Sequence, residues 1–260
     1  VIPGRKSESE KIAAAVDSYT IEAKMKDGRA LQSSTSHFLG ENFAKAFDIQ
    51  YLDDNNELQY AWTTSWGLST RMVGAVVMTH GDDQGLVLPP RLAPTQVVIV
   101  PIWRKDSERS QVLEVAHRIE QQLQPHVRIE IDTREGVSPG WKFNDWEMRG
   151  VPLRVELGPR DIANDSVMLA RRDIPGREGK SSVPMAGLEA SVPAMLETIQ
   201  TAIYEKAKAF RDENIHDVET YDEFKEAVST GFARAWWAGN IQDEARVQDE
   251  TQATIRCIPL

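Results

Sequence analysis

Residues 95–102 read TQVVIVPI, a run rich in β-branched residues that predicts a buried strand. Apolar residues then recur at helical spacing over 112–123, and further strands are predicted at 127–131, 151–157 and 167–170. A long closing helix is predicted from one apolar face, which is formed by Val192, Leu196, Ile199, Ile203 and Phe210. Because strands alternate with helices, the sequence predicts an α/β fold with a sheet flanked by helices.

Turn residues and prolines divide the chain ahead of this pattern. Residues 81–85 read GDDQG and are followed by Pro89, Pro90 and Pro94, so we predict a domain boundary between Leu88 and Thr95. From about residue 212 the composition becomes acidic, and the aromatic residues there are Tyr221, Phe224, Phe232, Trp236 and Trp237. We therefore expect three domains, over 1–92, 95–205 and 206–260, of which the last is a small α+β unit.

The composition excludes several classes of protein. The 260 residues are 41% hydrophobic and 27% charged, and no apolar stretch has the length of a transmembrane helix. A net charge of −10 argues against non-specific coating of nucleic acid, but a selective reader stays possible because residues 140–180 carry eight Lys or Arg against seven Asp or Glu. The single cysteine, Cys257, excludes an internal disulfide framework. We expect a cytoplasmic protein with no membrane partner and, since Val1 is not Met, further sequence upstream.

A strand, a turn and a helix are predicted before the linker. Residues 60–66 alternate aromatic and small polar side chains, as in a strand that lines a polar cavity. The turn follows as GLSTR at 67–71. The apolar run 72–78 predicts a buried helix, with Ser69 as its cap and the pair 74–75, Gly-Ala, as a close-packing face.

Two groups of polar residues are candidates for ligand binding. Arg71 begins the predicted helix, where a guanidinium can hold a phosphate through paired hydrogen bonds. The alternative is an arginine paired with a surface carboxylate. Thr35-Ser36-His37 places two hydroxyls and an imidazole in a row, which suits a small polar ligand. For His37 the alternative is a structural hydrogen bond.

Three long strings resemble successive signatures of one family. They read GRALQSSTSHFLGENFAKAFDI, TSWGLSTRMVGAVVMTHGDDQGLVLPPRLAPTQVVIVPI and PGWKFNDWEMRGVPLRVELGPRD. Together they resemble the prolyl-tRNA synthetases of the archaeal and eukaryotic type, which are class II aminoacyl-tRNA synthetases. The resemblance implies part of the class II antiparallel-sheet core over 1–92, an anticodon-binding domain over 95–205, and a degenerate relative of a zinc-binding domain over 206–260.

The resemblance also implies an enzyme of protein biosynthesis. Such a ligase activates L-proline with ATP and Mg2+ to form prolyl-adenylate and transfers the proline to tRNA(Pro). GLSTR corresponds to the third class II motif, so Arg71 is the expected catalytic residue, a fixed guanidinium that neutralises the leaving pyrophosphate. The positions that the resemblance assigns to ATP are Gln32, Thr35 and Arg71, and those that it assigns to proline are His37, Ser69 and Thr70.

An anticodon-reading surface is implied for residues 140–161. Proline anticodons share two guanines, which present both hydrogen-bond acceptors and donors, so a reader needs cationic donors as well as carboxylates. The corresponding positions are Phe143, Glu147, Arg154, Arg160 and Asp161. We expect Lys142 and Arg160 to lie nearer the RNA backbone. Alternatives are that Glu147 and Arg154 merely pair with each other and that Trp141 and Trp146 belong to the core.

The sequence departs from the family pattern in two ways. The first two class II motifs are absent, so we expect this chain alone to be inactive and the complete enzyme to be a homodimer through its upstream motif 1. Residues 237–239 read Trp-Ala-Gly, with alanine where many relatives have cysteine, and Cys257 matches a non-ligand position. Since a tetrahedral zinc site needs about four ligands, we expect no metal. The alternative functions are a non-catalytic tRNA-binding module and a threonyl or histidyl synthetase.

Overall fold

A computed structural model describes residues 1–260. Its elements fall into two units, one formed by residues 1–79 with 209–260 and the other by residues 80–208. The acidic segment near the C-terminus therefore groups with the first part of the chain.

The first segment of the sequence forms an antiparallel sheet. Its elements are β1 (Ile2–Arg5), β2 (Asp17–Lys24), β3 (Ala30–Gly40), α1 (Asn42–Phe47), β4 (Gln50–Leu52), β5 (Leu58–Tyr60), β6 (Thr63–Leu68) and α2 (Arg71–His80). The sheet order is β1-β2-β3-β6, and β4 and β5 form a separate hairpin. The strand, turn and helix predicted over 60–78 are confirmed.

The prediction that α2 is buried is wrong. Among its apolar side chains only Ala75 is buried, whereas Val73, Val77 and Met78 are exposed, and Gly74 faces open space. The apolar run indicates which side chains of the helix would be buried, but burial also requires a layer of structure that covers them. In residues 1–260 this face of α2 is left uncovered.

The unit at 80–208 is a mixed sheet flanked by helices. Its elements are β7 (Val97–Pro101), α3 (Asp106–Leu123), β8 (Ile129–Ile131), α4 (Pro139–Met148), β9 (Leu153–Leu157), α5 (Pro159–Ala163), β10 (Ser166–Arg171), β11 (Lys180–Pro184) and most of α6, which runs over Leu188–Glu213. The sheet order is β11-β10-β9-β7-β8. The central strand β7 is parallel to both of its neighbours, and β9, β10 and β11 pair antiparallel.

Burial explains why the sequence pattern predicts most elements of this unit. Every residue of β7 and β9 is buried, as expected of central strands with helices on both faces. The residues at helical spacing on α3 are buried as well, namely Val112, Val115, Ala116, Ile119 and Leu123. Helix α4 had no apolar period to reveal it, but Ser138 caps it by accepting the Trp141 N–H at 3.2 Å, and Pro139 occupies its first turn.

The last segment adds four elements to the first unit, namely β12 (Ile215–Asp217), α7 (Tyr221–Thr230), β13 (Phe232–Arg234) and α8 (Ile241–Thr251). Strands β12 and β13 pair in parallel. The chain then returns to β1, where Arg5 and Ile258 exchange two backbone hydrogen bonds of 2.8 Å. Across residues 1–260, no helix has the length and apolar character needed to span a membrane.

Candidate functional site

A β-bulge determines which side chains share a face of the first sheet. The pairing of β2 with β3 slips by one residue, which leaves Ser33 without a partner in the ladder. Side chains alternate along a regular strand, so Gln32 and Thr35 would otherwise point to opposite faces. Because of the bulge, Gln32, Thr35 and His37 lie on one face, and all three are half-buried.

The same alternation corrects the interpretation of Thr35-Ser36-His37 as one polar cluster. Ser36 is exposed and lies on the opposite face from its two neighbours. Only Thr35 and His37 can therefore contact one ligand together with Gln32.

A row of buried polar residues on β2 lies beside these three residues on the same face of the sheet. Ser18, Thr20 and Glu22 are 1%, 3% and 0% exposed. In the ladder they lie directly opposite the three residues assigned to ligands, which are His37, Thr35 and Gln32 respectively. Sequence reasoning missed this row, although its signal is present as polar residues at every second position of DSYTIEAK.

The polar side chains of this row have hydrogen-bond and ion-pair partners. The Ser18 hydroxyl lies 2.7 Å from Nδ1 of His37, and Thr20 donates to the Glu22 carboxylate at 2.7 Å. Arg256 donates to the other Glu22 oxygen at 2.9 Å, and Nζ of Lys6 lies 3.8 Å from the carboxylate. The buried charge of Glu22 is thereby compensated from both ends of the chain.

Arg71 lies beside the same face. It is the first residue of α2, and its backbone N–H donates to the Ser69 hydroxyl at 3.3 Å. Its exposed guanidinium donates to the backbone carbonyl of Gln32 at 3.2 Å and forms no ion pair, so the alternative of a surface carboxylate partner is wrong. Ser69 and Thr70 are exposed in the turn before the helix. The bulge strand and the turn thus bring Gln32 and Arg71 together.

A cavity of about 290 Å³ lies in the unit at 80–208. Helix α4 supplies Phe143 and Glu147, strand β9 supplies Arg154, and the region from β10 to β11 supplies Arg171 and Lys180. The lining therefore combines an aromatic ring with a carboxylate and several cations. This mixture suits a flat ligand that carries both donors and acceptors.

Arg154 organises the cavity wall. Its side chain is 7% exposed, and its guanidinium donates to Glu147 at 2.8 Å and to Glu156 at 2.9 and 3.1 Å. It also lies 4.2 Å from the centre of the Phe143 ring. The pairing of Glu147 with Arg154, which one alternative held, is present, and the pair lines the cavity.

The other two residues assigned to the anticodon lie elsewhere. Neither Arg160 nor Asp161 lines the cavity, because both belong to α5 beyond the end of β9. Asp161 accepts the Gly158 N–H at 2.8 Å and so caps this short helix. Arg160 is exposed.

The expectation that Lys142 lies near an RNA backbone is wrong. Its side chain is buried, and Nζ donates to the Asp132 carbonyl at 2.9 Å. Trp146 is a core residue, as one alternative held, and donates to the Asp132 carboxylate at 2.8 Å. Trp141 is instead 49% exposed, with the Arg134 guanidinium over its ring. Spacing along α4 decides this difference, because positions 142 and 146 share the inner face.

Asp132 is the centre of this buried network. It is 3% exposed, and burial alone would raise the pKa of its carboxyl group. Hydrogen bonds from Arg134 and Trp146, together with the Lys142 charge, outweigh burial and hold that pKa well below its usual range.

Comparison with known proteins shows which family this chain resembles. The family model described as "Anticodon binding domain" matches residues 96–192, and the one described as "Prolyl-tRNA synthetase, C-terminal" matches residues 221–260. The proline--tRNA ligase of Roseiflexus castenholzii is 60% identical over 260 residues, which are all of this chain and 54% of that protein. The chain belongs to the prolyl-tRNA synthetase family.

The similarity extends to proteins of other organisms. The chloroplastic/mitochondrial proline--tRNA ligase of Arabidopsis thaliana is 53% identical and is covered over 49% of its length. The structure of prolyl-tRNA synthetase from Cryptosporidium parvum complexed with L-proline and AMP has a TM-score of 0.92 at 39% identity, covering 100% of this chain and 56% of that one. This chain therefore spans about half the length of its relatives. The predicted family and fold class are confirmed.

The C-terminal segment of the chain contains the lone cysteine. Burial, reinforced by the nearby charge of Glu22, raises the pKa of the Cys257 thiol to about 11, and its Sγ donates to the Ile2 carbonyl at 3.4 Å. A neutral thiol is a poor metal ligand. Residues 1–260 bring no group of three or more His, Cys, Asp or Glu together for a metal ion.

Proposed function

We propose that the complete protein is a proline--tRNA ligase, in which this chain supplies part of the ATP and proline site and the surface that reads the anticodon. The observation that supports this function best is the bulge in β3, which places Gln32, Thr35 and His37 on one face with Arg71 beside Gln32. A module that only bound tRNA would have no evident use for this arrangement.

In this proposal Arg71 binds the γ-phosphate of ATP. Attack of the proline carboxylate on the α-phosphorus drives charge onto the leaving pyrophosphate, and a guanidinium held at a helix start stabilises that charge. Gln32 and Thr35 contact the nucleotide, and Mg2+ accompanies the ATP in the complete catalytic domain. Catalysis then rests on positioning and charge, so no protein nucleophile is required.

His37, Ser69 and Thr70 form the proline side of the proposed site. His37 lies on the same face as Thr35, and the two hydroxyl residues end the strand-to-helix turn before Arg71. Nucleotide and amino acid are thereby assigned to adjacent parts of one polar surface.

The cavity beside α4 is the proposed anticodon site. One Glu147 oxygen accepts from Arg154, which leaves the carboxylate able to accept from the N1 and N2 donors of a guanine as well. Phe143 offers a ring for stacking, although Arg154 already lies over it. Arg160 and Asp161 lie on α5, outside the cavity, where we propose that they contact a neighbouring part of the tRNA.

Location and assembly complete the proposal. We propose that the enzyme is cytoplasmic, binds tRNA(Pro) and L-proline, needs no zinc, and is a homodimer through a motif upstream of this chain. The charge of −10 favours selective recognition over general affinity for RNA.

Amino-acid-dependent exchange of pyrophosphate into ATP by the complete enzyme tests the activity. We expect exchange with proline and none with threonine or histidine, and no exchange by residues 1–260 alone. Arg71→Ala is expected to lower the rate about a hundredfold or more, whereas Arg246→Ala, at an exposed surface ion pair, leaves it unchanged. Absence of proline-dependent exchange, with tRNA binding retained, would favour a non-catalytic tRNA-binding module.

A further inference from the structure

We infer that Ser18 is a positioning residue that holds the His37 imidazole as the tautomer protonated at Nε2, so that Nε2 donates a hydrogen bond to a carboxyl oxygen of the bound amino acid. The inference rests on the proposed function, because it assigns the role of Ser18 within that site.

The contact itself is short and its serine is buried. Ser18 Oγ lies 2.7 Å from His37 Nδ1, and Ser18 is 1% exposed. The two residues are direct partners in the β2–β3 ladder, so the backbone fixes their separation. The Ser18 carbonyl also accepts the Lys6 N–H at 2.8 Å, which ties this point of the strand to β1. The serine is therefore a rigid support for the ring.

Proton counting sets the tautomer. A serine hydroxyl has one proton to donate, and a neutral imidazole has one protonated and one unprotonated nitrogen. Nδ1 of His37 is the only hydrogen-bond partner of the Ser18 hydroxyl within the chain. A buried hydroxyl that leaves its proton unused carries a free-energy cost, so Ser18 donates and Nδ1 accepts. The remaining proton of the ring then lies on Nε2.

This tautomer selects one end of the ligand. Free proline presents its carboxylate as an acceptor and its secondary ammonium as a donor, and prolyl-adenylate retains a carbonyl oxygen at the same position. An Nε2–H group can bind only the acceptor. Ser18 thus orients the amino acid indirectly, through the ring that touches it.

Steady-state kinetics of the complete enzyme test the role. Ser18→Ala is expected to raise the KM for proline about fivefold to tenfold, the effect of one lost hydrogen bond, with kcat and the KM for ATP changed less than about twofold. Ser18→Thr keeps the hydroxyl and should restore the KM. The matched control is Ser36→Ala, since Ser36 is exposed on the opposite face of the neighbouring strand. An unchanged KM for proline in Ser18→Ala would overturn the inference while leaving the proposed function intact.

Nitrogen NMR of the histidine-labelled chain reads the tautomer directly. The chain has five histidines, and His37→Gln assigns the signal. We expect an unprotonated Nδ1 and a protonated Nε2 for His37, and a mixture of tautomers in Ser18→Ala. A protonated Nδ1 in the parent chain would contradict the inference. Because this spectrum needs no substrate, it separates failure of the inference from failure of the proposed activity.

Discussion

At the scale of single residues, buried charges organise both units. Glu22 has no exposed surface, yet its carboxylate accepts from Thr20 and pairs with Arg256 and Lys6. Removing two charges from water is costly, so such a pair contributes little net stability, but removal of one partner leaves the other uncompensated.

Glu22→Gln is therefore expected to lower the free energy of unfolding by about 3 kcal/mol, because it removes the buried negative charge that Lys6 and Arg256 share and leaves Lys6 only Glu10, at 3.9 Å. Glu8→Gln is the matched control, since that side chain is 66% exposed and pairs with Lys11 at the surface. It should change stability by less than about 0.5 kcal/mol. Urea denaturation of the chain measures both, and equal midpoints would contradict the role of Glu22.

Asp132 makes the stability of the second unit dependent on pH. Its pKa is lowered in the folded chain, so its contribution is complete above the pKa of the unfolded carboxyl, about 3.9, and is lost as the pH falls below that value. We expect Asp132→Asn to cost roughly 2–3 kcal/mol at pH 7. The same variant should show a shallower loss of stability in acid than the parent. Denaturation between pH 3 and 7, with parallel curves for the two proteins, would contradict this linkage.

At the scale of elements, patterns that arise from burial were predictable. Strands β7 and β9 and helix α3 are buried on the faces that their apolar residues define, so the sequence predicted them and the structure confirms them. Helix α2 was predicted as an element but not in its exposure, since its sequence cannot show what covers it.

The candidate site was predictable only in part. Arg71 stood out because of its position in a turn before a helix, and the family resemblance supplied Gln32, Thr35 and His37. The bulge at Ser33 was not predictable, because a slip in register depends on the partner strand. The burial of Lys142 was missed for a related reason, since α4 has no apolar period to identify its inner face.

Gly150 shows how one element is held against the next. Its φ is 76°, and a Cβ at this position would lie 2.6 Å from the Cβ of Leu86. The segment 86–88 forms backbone hydrogen bonds with Met148 and Gly150 here, so the two segments cannot separate without losing these bonds.

Gly150→Ala is expected to destabilise the chain by about 2 kcal/mol through backbone strain and the close contact. Gly140→Ala is the control, because Gly140 lies in the first turn of α4 with open space where a Cβ would lie, and alanine is the better helix former. Thermal unfolding should therefore rank Gly140→Ala at or above the parent and Gly150→Ala below it. The reverse order would show that the contact at Leu86 relaxes without cost.

At the scale of the whole molecule, one chain carries two surfaces with different chemistry. We propose the polar face of the first sheet for ATP and proline, and the cavity beside α4 for a base. Ligand binding can be tested with residues 1–260 alone only at the second surface, because the lining of the cavity belongs entirely to the unit at 80–208.

Variants of the cavity and of α5 should separate two kinds of RNA contact. Glu147→Ala or Arg154→Ala is expected to remove roughly 1–3 kcal/mol of discrimination between a proline anticodon stem-loop and one with its guanines replaced. Arg160→Ala, outside the cavity, should weaken binding to both stem-loops alike and reduce the salt dependence. Loss of discrimination in Arg160→Ala alone would place base recognition on α5 instead.

The most direct test of anticodon reading is the ratio of the dissociation constants of the unaltered chain for these two stem-loops, measured at two salt concentrations. We predict that the chain binds the proline stem-loop at least about tenfold more tightly and that this ratio persists at the higher salt concentration, because base contacts depend on salt less than phosphate contacts do. A ratio of one at both salt concentrations would contradict recognition of the guanines by this chain.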